Sequence, residues 1–351
     1  MKKIFVDELS VGSEIDSIFL VRDKKLATTK NGRPYLDVNL IDKTGKIAAK
    51  LWEKRDDQGY VERVYESFGK NDFVRVSGRI ESYREKNQLN VDRIELVDAE
   101  DVELSDFLPT GERNPDEMVK EFLKINSEIK NPHIKKLIGS FFKDNDFMSK
   151  FKTAPAAKKL HQAYLGGLME HTLNLVNMAV ALADYYAFVN RDLLICGTLL
   201  HDIGKMEELD YARSFDYSDT GRLLGHIFIG AEMVKKKIDK IDGFPKKLSD
   251  MILHMILSHH GEFQFGSPVL PAIPEAIILH QIDNMDAKVW GFLGEMDRSI
   301  DLDGNWTKYS NVYERFIYKG DISFGINNDD DSKAKNKGKK KRSVLSLFDD
   351  E

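Results

Sequence analysis

Apolar and polar residues alternate along five stretches in the first hundred residues: 17–30, 34–42, 46–53, 72–85 and 88–98. A two-residue period sends successive side chains to opposite faces, so each stretch predicts a half-buried strand. Asn31-Gly32, Lys43-Thr44-Gly45 and Glu85-Lys86-Asn87 supply turn chemistry between them. Between the third and fourth stretches, YVERVYESFG (60–69) changes to a helical period and closes on Gly69. Asn114-Pro115 reads as a helix cap with proline at the first helical position. From there to about residue 320 the pattern is helical, with apolar residues at three- and four-residue spacing in 118–129, 165–186, 192–203, 227–238, 247–260 and 274–293.

Five short strands with a helix after the third is the element order of an OB-fold barrel. The hairpin LIDKTGKIAAKLWE (40–53) resembles the second and third strands of nucleic-acid-binding OB-folds. Such a face holds single strands through stacking aromatics and basic residues that follow the backbone. Phe19, Arg22, Tyr35, Lys50, Trp52, Arg75, Arg79, Tyr83 and Arg84 lie on the predicted strands or beside them. About half of the aromatics on alternating strands face a barrel's core. Tyr35, Trp52, Arg79 and Tyr83 are the preferred nucleic-acid-binding candidates.

Composition narrows the class. At 351 residues the chain suits about two domains. A single cysteine excludes an internal disulfide scaffold and zinc sites built on cysteine pairs. Asp7 and Glu8 stand where a signal peptide needs apolar residues, and no apolar run approaches a membrane span. The expectation is a soluble cytoplasmic protein without a membrane partner. A net charge of −6 gives no general affinity for nucleic acid, so local patches must supply it. The acidic stretch 99–116 reads as a linker. From residue 326 the chain predicts a disordered charged tail, in which DDD (329–331) precedes KAKNKGKKKR (333–342).

The helical half carries chemistry in a fixed order. His171 lies inside a helix, His201-Asp202 at a helix end, His226 at a helix start, His259-His260 at a helix end and Asp283 inside a helix. Imidazole nitrogens and carboxylate oxygens are ligands for divalent manganese, iron, cobalt, nickel or zinc. Helices bring such residues inward from distant positions, and the two oxygens of Asp202 suit it to bridge two ions. His280, three residues before Asp283, reads as support for the site. His161 reads as a surface residue or a phosphate contact, His133 and His254 as structural, and Cys196 as a buried small hydrophobe.

This order, with LGGLMEHT (165–172), LLHDIGK (199–205), LSHHG (257–261) and ILHQIDNMDAK (278–288), resembles the HD-domain metal-dependent phosphohydrolases. The resemblance implies that His171, His201, Asp202 and Asp283 hold one ion. Asp202, His226 and His259 would hold the second, with His260 a further ligand or a substrate contact. It also implies a catalytic role for Asp202, and for Lys205 beside the phosphate. The resulting fold class is multi-domain. An all-β OB-fold barrel (1–98) is followed by a linker (99–116), a helical connector (117–155), an all-α HD domain (156–325) and the tail (326–351).

The loop GEFQFGSPVLPAIPE (261–275) lacks the GYP signature of HD domains that act on cyclic dinucleotides, and HDIGKM (201–206) lacks the HDxxED of alarmone hydrolases. An OB-fold ahead of an HD domain resembles the YhaM-type 3′→5′ exoribonucleases. The resemblance implies hydrolysis of single-stranded RNA, and of single-stranded DNA as a second substrate, to nucleoside 5′-monophosphates. It implies two divalent ions, with manganese foremost, and a homo-oligomer. Hydrolysis of free nucleotides is an alternative. So is a single-stranded-DNA-binding accessory protein of replication or repair, because VLSLF (344–348) resembles peptides that dock on sliding clamps, with Val344 in place of their glutamine.

Overall fold

The computed structural model describes residues 4–84, 86–158, 162–211 and 216–321. His161 and the tail, including 344–348, lie outside these residues. The chain forms two compact units, the first ending at Pro109 and the second beginning at Thr110.

The first unit is a closed five-stranded barrel. Its elements are β1 (Glu14–Thr28), β2 (Pro34–Asp42), β3 (Gly45–Trp52), α1 (Tyr60–Glu66), β4 (Phe73–Tyr83) and β5 (Lys86–Val97). The strands are ordered β1-β2-β3-β5-β4, with β4 pairing back onto β1. Only β3 and β5 run parallel among these pairs. Alternation fills the interior with Phe19, Val21, Leu36, Val38, Leu40, Ala49, Leu51, Val74, Val76 and Leu89. The tight β2–β3 turn is fixed by Asp42, whose carboxylate accepts the Thr44 N–H (2.8 Å) and hydroxyl (2.6 Å). Gly78 sits at the register shift between β4 and β5, where a Cβ would strike the Asn90 carbonyl.

The second unit is helical. It comprises α2 (Pro115–Glu128), α3 (Pro132–Phe142), α4 (Asn145–Thr153), α5 (Gly167–Tyr185), α6 (Arg191–Leu200), α7 (Lys205–Glu208), α8 (Asp219–Ile238), α9 (Lys246–Ser258) and α10 (Pro274–Arg298). A two-stranded hairpin, β6 (Leu209–Asp210) and β7 (Asp216–Tyr217), follows α7. The Asn114 side chain caps α2 as its sequence predicts, and Asn131, Asp144, Asn190 and Ser218 cap later helices. Leu168, Leu173 and Val176 of α5 meet Leu193, Cys196 and Leu200 of α6, with Ile252, Met255 and Leu279, in one core. Among the described residues no helix is long and apolar enough to cross a membrane.

Two stretches differ from the sequence reading. Residues 99–108, expected as linker, contain two 3-10 turns, and Phe107 is buried with its ring 4.9 Å from that of Phe73. Phe107 and the equally buried Leu108 anchor a largely acidic segment. Beyond Arg298 the helical pattern stops, because 299–321 runs as turns and isolated bridges with Gly304 at φ 85°.

Asp144 links capping to helix packing. Its carboxylate accepts the Asp146 and Phe147 N–H groups and pairs with Lys237 of α8 at 3.1 Å. The Lys237 hydrogen bond, followed by those of the backbone, holds its pKa below the ordinary 3.8. A depressed folded-state pKa adds stability above the unfolded value, and that stability is lost as pH falls through the folded value. Asp144→Ala is therefore expected to cost about 1–2 kcal/mol at pH 7. The difference between the two proteins in urea unfolding should shrink as pH falls below 3.8 and through the lowered folded-state value.

Candidate metal centre

Each histidine of the centre is aimed by its Nδ1. His201 and His259 follow the last turns of α6 and α9, where helix carbonyls lack intrahelical partners. His201 Nδ1 donates to the Thr198 carbonyl at 2.9 Å and His259 Nδ1 to the Ile256 carbonyl at 2.7 Å. A carbonyl only accepts, so the proton sits on Nδ1 and the Nε2 lone pair faces inward. His260 Nδ1 donates in the same way to the Phe265 carbonyl at 2.7 Å. His171, in the second turn of α5, directs Nδ1 to Asp286 at 2.8 Å. His226 directs Nδ1 to Glu208 at 2.9 Å.

The local backbone explains how these side chains reach one another. Gly204 ends the His201-Asp202 turn, and a Cβ there would strike the His226 carbonyl and the Gly230 nitrogen. Glycine therefore lets α7 and α8 approach closely. Gly225, at φ 72°, interrupts α8 and turns His226 into the start of its second part. Gly261, at φ 77°, leaves room for the ring of His280. His280 in turn donates to the His259 carbonyl at 3.1 Å.

Two ligand sets result. Nitrogen or oxygen atoms of His171, His201, Asp202 and Asp283 lie within 4.8 Å of one another, and those of His226, His259 and His260 do the same. Asp202 joins the sets. Its Oδ2 lies 3.2 Å from His201 Nε2 and 3.7 Å from His171 Nε2. Its Oδ1 lies 3.5 Å from both His226 Nε2 and His259 Nε2. Asp283 Oδ1 completes the first set, 3.2 Å from His171 Nε2.

This donor set fits divalent cations. His201 Nε2, His226 Nε2, His259 Nε2 and Asp202 Oδ1 are all buried without a hydrogen-bond partner. Lone pairs left so in an interior are costly unless something electropositive meets them. Burial pushes the His259 and His260 imidazoles below their ordinary pKa, which keeps them neutral and able to donate. Burial alone would raise the Asp202 carboxyl, but His201 and Lys205 hold it well below the usual carboxylate range. Burial likewise opposes a charge on His171, yet Asp283 and Asp286 raise it to about 9. Lys205 lies on the carboxylate that stands between the two groups, with Nζ 2.6 Å from Asp202 Oδ2.

Sequence reading missed Asp286 and Glu208. Asp286 is one helical turn beyond Asp283, a spacing that signals a shared face. Glu208 has no such signal, because its partner lies 18 residues away.

On the barrel, Tyr35, Trp52 and Tyr83 gather around Lys50, whose Nζ is 5.0, 6.0 and 5.7 Å from their ring centroids. The Tyr35 and Trp52 rings are 5.0 Å apart, and Trp52 and Tyr83 are about half exposed. Arg79 lies outside this cluster, but in the same cross-strand row as Lys50, since both pair with Asn90. Two wider candidates serve otherwise. Phe19 is fully buried in the barrel core, and Arg75 pairs with Asp16 at 2.6 Å.

Comparisons with known proteins agree with both units. Residues 20–97 match the OB-fold nucleic acid binding domain family, and residues 168–288 match the HD domain family, which implies divalent-metal binding. The 3′-5′ exoribonuclease YhaM of Bacillus velezensis is 35% identical over 294 residues, covering 83% of this chain and 89% of the relative. That of Bacillus subtilis is 35% identical over 292 residues, with the same coverage. That of Listeria monocytogenes is 36% identical over 291 residues, covering 82% of this chain and 90% of the relative. An OB-fold barrel, an HD domain and relatives that match along most of their length make this chain a member of the YhaM family of HD-domain 3′-5′ exoribonucleases.

Proposed function

We propose that the protein removes nucleotides from the 3′ end of single-stranded RNA with two divalent cations, manganese foremost, and releases nucleoside 5′-monophosphates. The observation that carries this reading is the division of Asp202. One oxygen faces His171 and His201, and the other faces His226 and His259. A carboxylate shared in this way sets the spacing of two cation positions. Cations bound there supply Lewis acidity to a water and to the scissile phosphoryl group.

The protein's own groups do the rest. His171, His201, Asp202 and Asp283 hold the first position, and Asp202, His226 and His259 the second. His260, partly exposed at the rim of the second set, serves as a further ligand or meets the substrate phosphate. Lys205, in the same turn as Asp202, is the ammonium available to offset charge building on the phosphoryl oxygens. Attack by water at phosphorus with departure of the 3′-oxygen leaves the phosphate on the 5′ side of the released nucleotide. The 2′-hydroxyl takes no part in that displacement, so single-stranded DNA is a second substrate.

The barrel face supplies the grip. Exposed Trp52 and Tyr83 offer π-faces to bases, while Lys50 and Arg79 offer charge to the backbone. Trp52→Ala is expected to weaken binding of labelled single-stranded RNA by about 5- to 150-fold, the worth of one stacked base. Fluorescence anisotropy measures it, and kcat at saturating RNA should not change.

The reading is tested by incubating the protein with RNA, DNA and free nucleotides under each metal and identifying the products by chromatography. It expects 5′-monophosphates from single strands, most rapidly with Mn²⁺, and none after chelation. Release of 3′-monophosphates, or turnover of free nucleotides alone, would contradict it.

A further inference from the structure

We infer that Glu208 is the positioning residue of the second cation position, the one formed by His226, His259 and Asp202. The inference rests on the two-cation reading above. Glu208 ends α7, six residues after Asp202, and is buried. A single oxygen, Oε1, accepts two hydrogen bonds from His226, one from Nδ1 at 2.9 Å and one from the backbone N–H at 2.9 Å.

The backbone bond has a local cause. Gly225 (φ 72°, ψ 152°) interrupts α8, so the N–H of His226 takes a side-chain acceptor in place of a helical one. Glu208 thus fixes the main chain and the ring of the same residue. With Nδ1–H held by Glu208, the His226 Nε2 lone pair faces Asp202 Oδ1 at 3.5 Å. A carboxylate behind an imidazole sets its tautomer and strengthens it as a donor.

Charge makes the two positions unequal. The first set contains two carboxylates, Asp202 and Asp283, with Asp286 behind His171. The described residues of the second set are imidazoles, and its anion is the shared Asp202. The second position, with fewer carboxylates, is therefore the weaker and later one to fill, and Glu208 behind His226 is the further carboxylate that supports it. A residue that merely capped the second part of α8 would change stability without discriminating between cations.

The test is Mn²⁺ titration of the full chain by calorimetry, for the wild type, Glu208→Ala and Glu208→Gln. The glutamine keeps an acceptor oxygen for both N–H groups and removes the charge, so it preserves the cap where alanine risks unfolding. Two binding steps are expected in the wild type. Glu208→Gln should weaken the weaker step by about 10- to 100-fold and leave the tighter step within about twofold. In turnover assays it should raise the Mn²⁺ concentration needed for half-maximal rate by a similar factor. An unchanged weaker step, or equal weakening of both steps with a lower melting temperature, would overturn the role of Glu208. A single step in the wild type would instead sink the two-cation reading.

Discussion

Asp202→Asn should lower kcat by at least about a thousandfold and empty both cation positions together. Asparagine keeps the shape of the side chain. It removes the charge, however, and turns an N–H group toward imidazole lone pairs on one side. Both oxygens of Asp202 are engaged, Oδ2 near His171 and His201 and Oδ1 near His226 and His259, so neither set survives intact. The change also strands the ammonium of Lys205, whose side chain is 13% exposed and rests on the same carboxylate. Metal content by mass spectrometry, melting temperature and kcat together check the expectation. Asp283→Asn is the comparison, because Asp283 touches the first set alone and its loss should leave the second position able to bind. An Asp202→Asn protein that kept one ion and a tenth of its activity would show that the carboxylate is not shared.

Gly204→Ala should be among the more damaging single methyl groups in the helical unit, costing about 3 kcal/mol and most of the activity. The added Cβ meets the carbonyl of His226 and the nitrogen of Gly230, both backbone atoms of α8 that cannot swing aside. Relief requires α8 to move away from the His201-Asp202 turn, which carries His226 from Asp202 and Glu208. Stability and the second cation position should therefore fail together. Gly230→Ala is a graded control. Its Cβ would lie 3.3 Å from the Gly204 nitrogen, a contact that a few tenths of an ångström relieve. Urea unfolding and Mn²⁺ titration of both variants give the comparison. Equal effects in the two would contradict the close approach argued for Gly204.

Much of this was legible in the chain because it rests on local period and residue type. Alternation marked the five strands, and Asn114-Pro115 marked the start of α2. His171, His201, Asp202, His226, His259, His260 and Asp283, which the structure gathers into two groups, stood out in the chain because cation binding restricts the residue types and their order resembles the HD-domain pattern. Strand partners were less accessible, since alternation says which face a residue takes and not that β3 lies parallel to β5. Phe107 hid in an acidic stretch because two adjacent buried apolar residues, Phe107 and Leu108, suffice to anchor it. Glu208 was invisible for a further reason. It touches a histidine rather than a cation, and the contact depends on the break at Gly225. Phe19 shows the converse, an aromatic residue that suits a stacking face by type but turns inward by register.

The account stands or falls most directly on single-stranded RNA labelled at its 5′ end, incubated with the protein and Mn²⁺ and sampled over time. It predicts a ladder of labelled strands shortening from the 3′ end, absent in the Asp202→Asn protein. Early release of the label as a mononucleotide, internal fragments without a ladder, or intact RNA with Mn²⁺ present would contradict it.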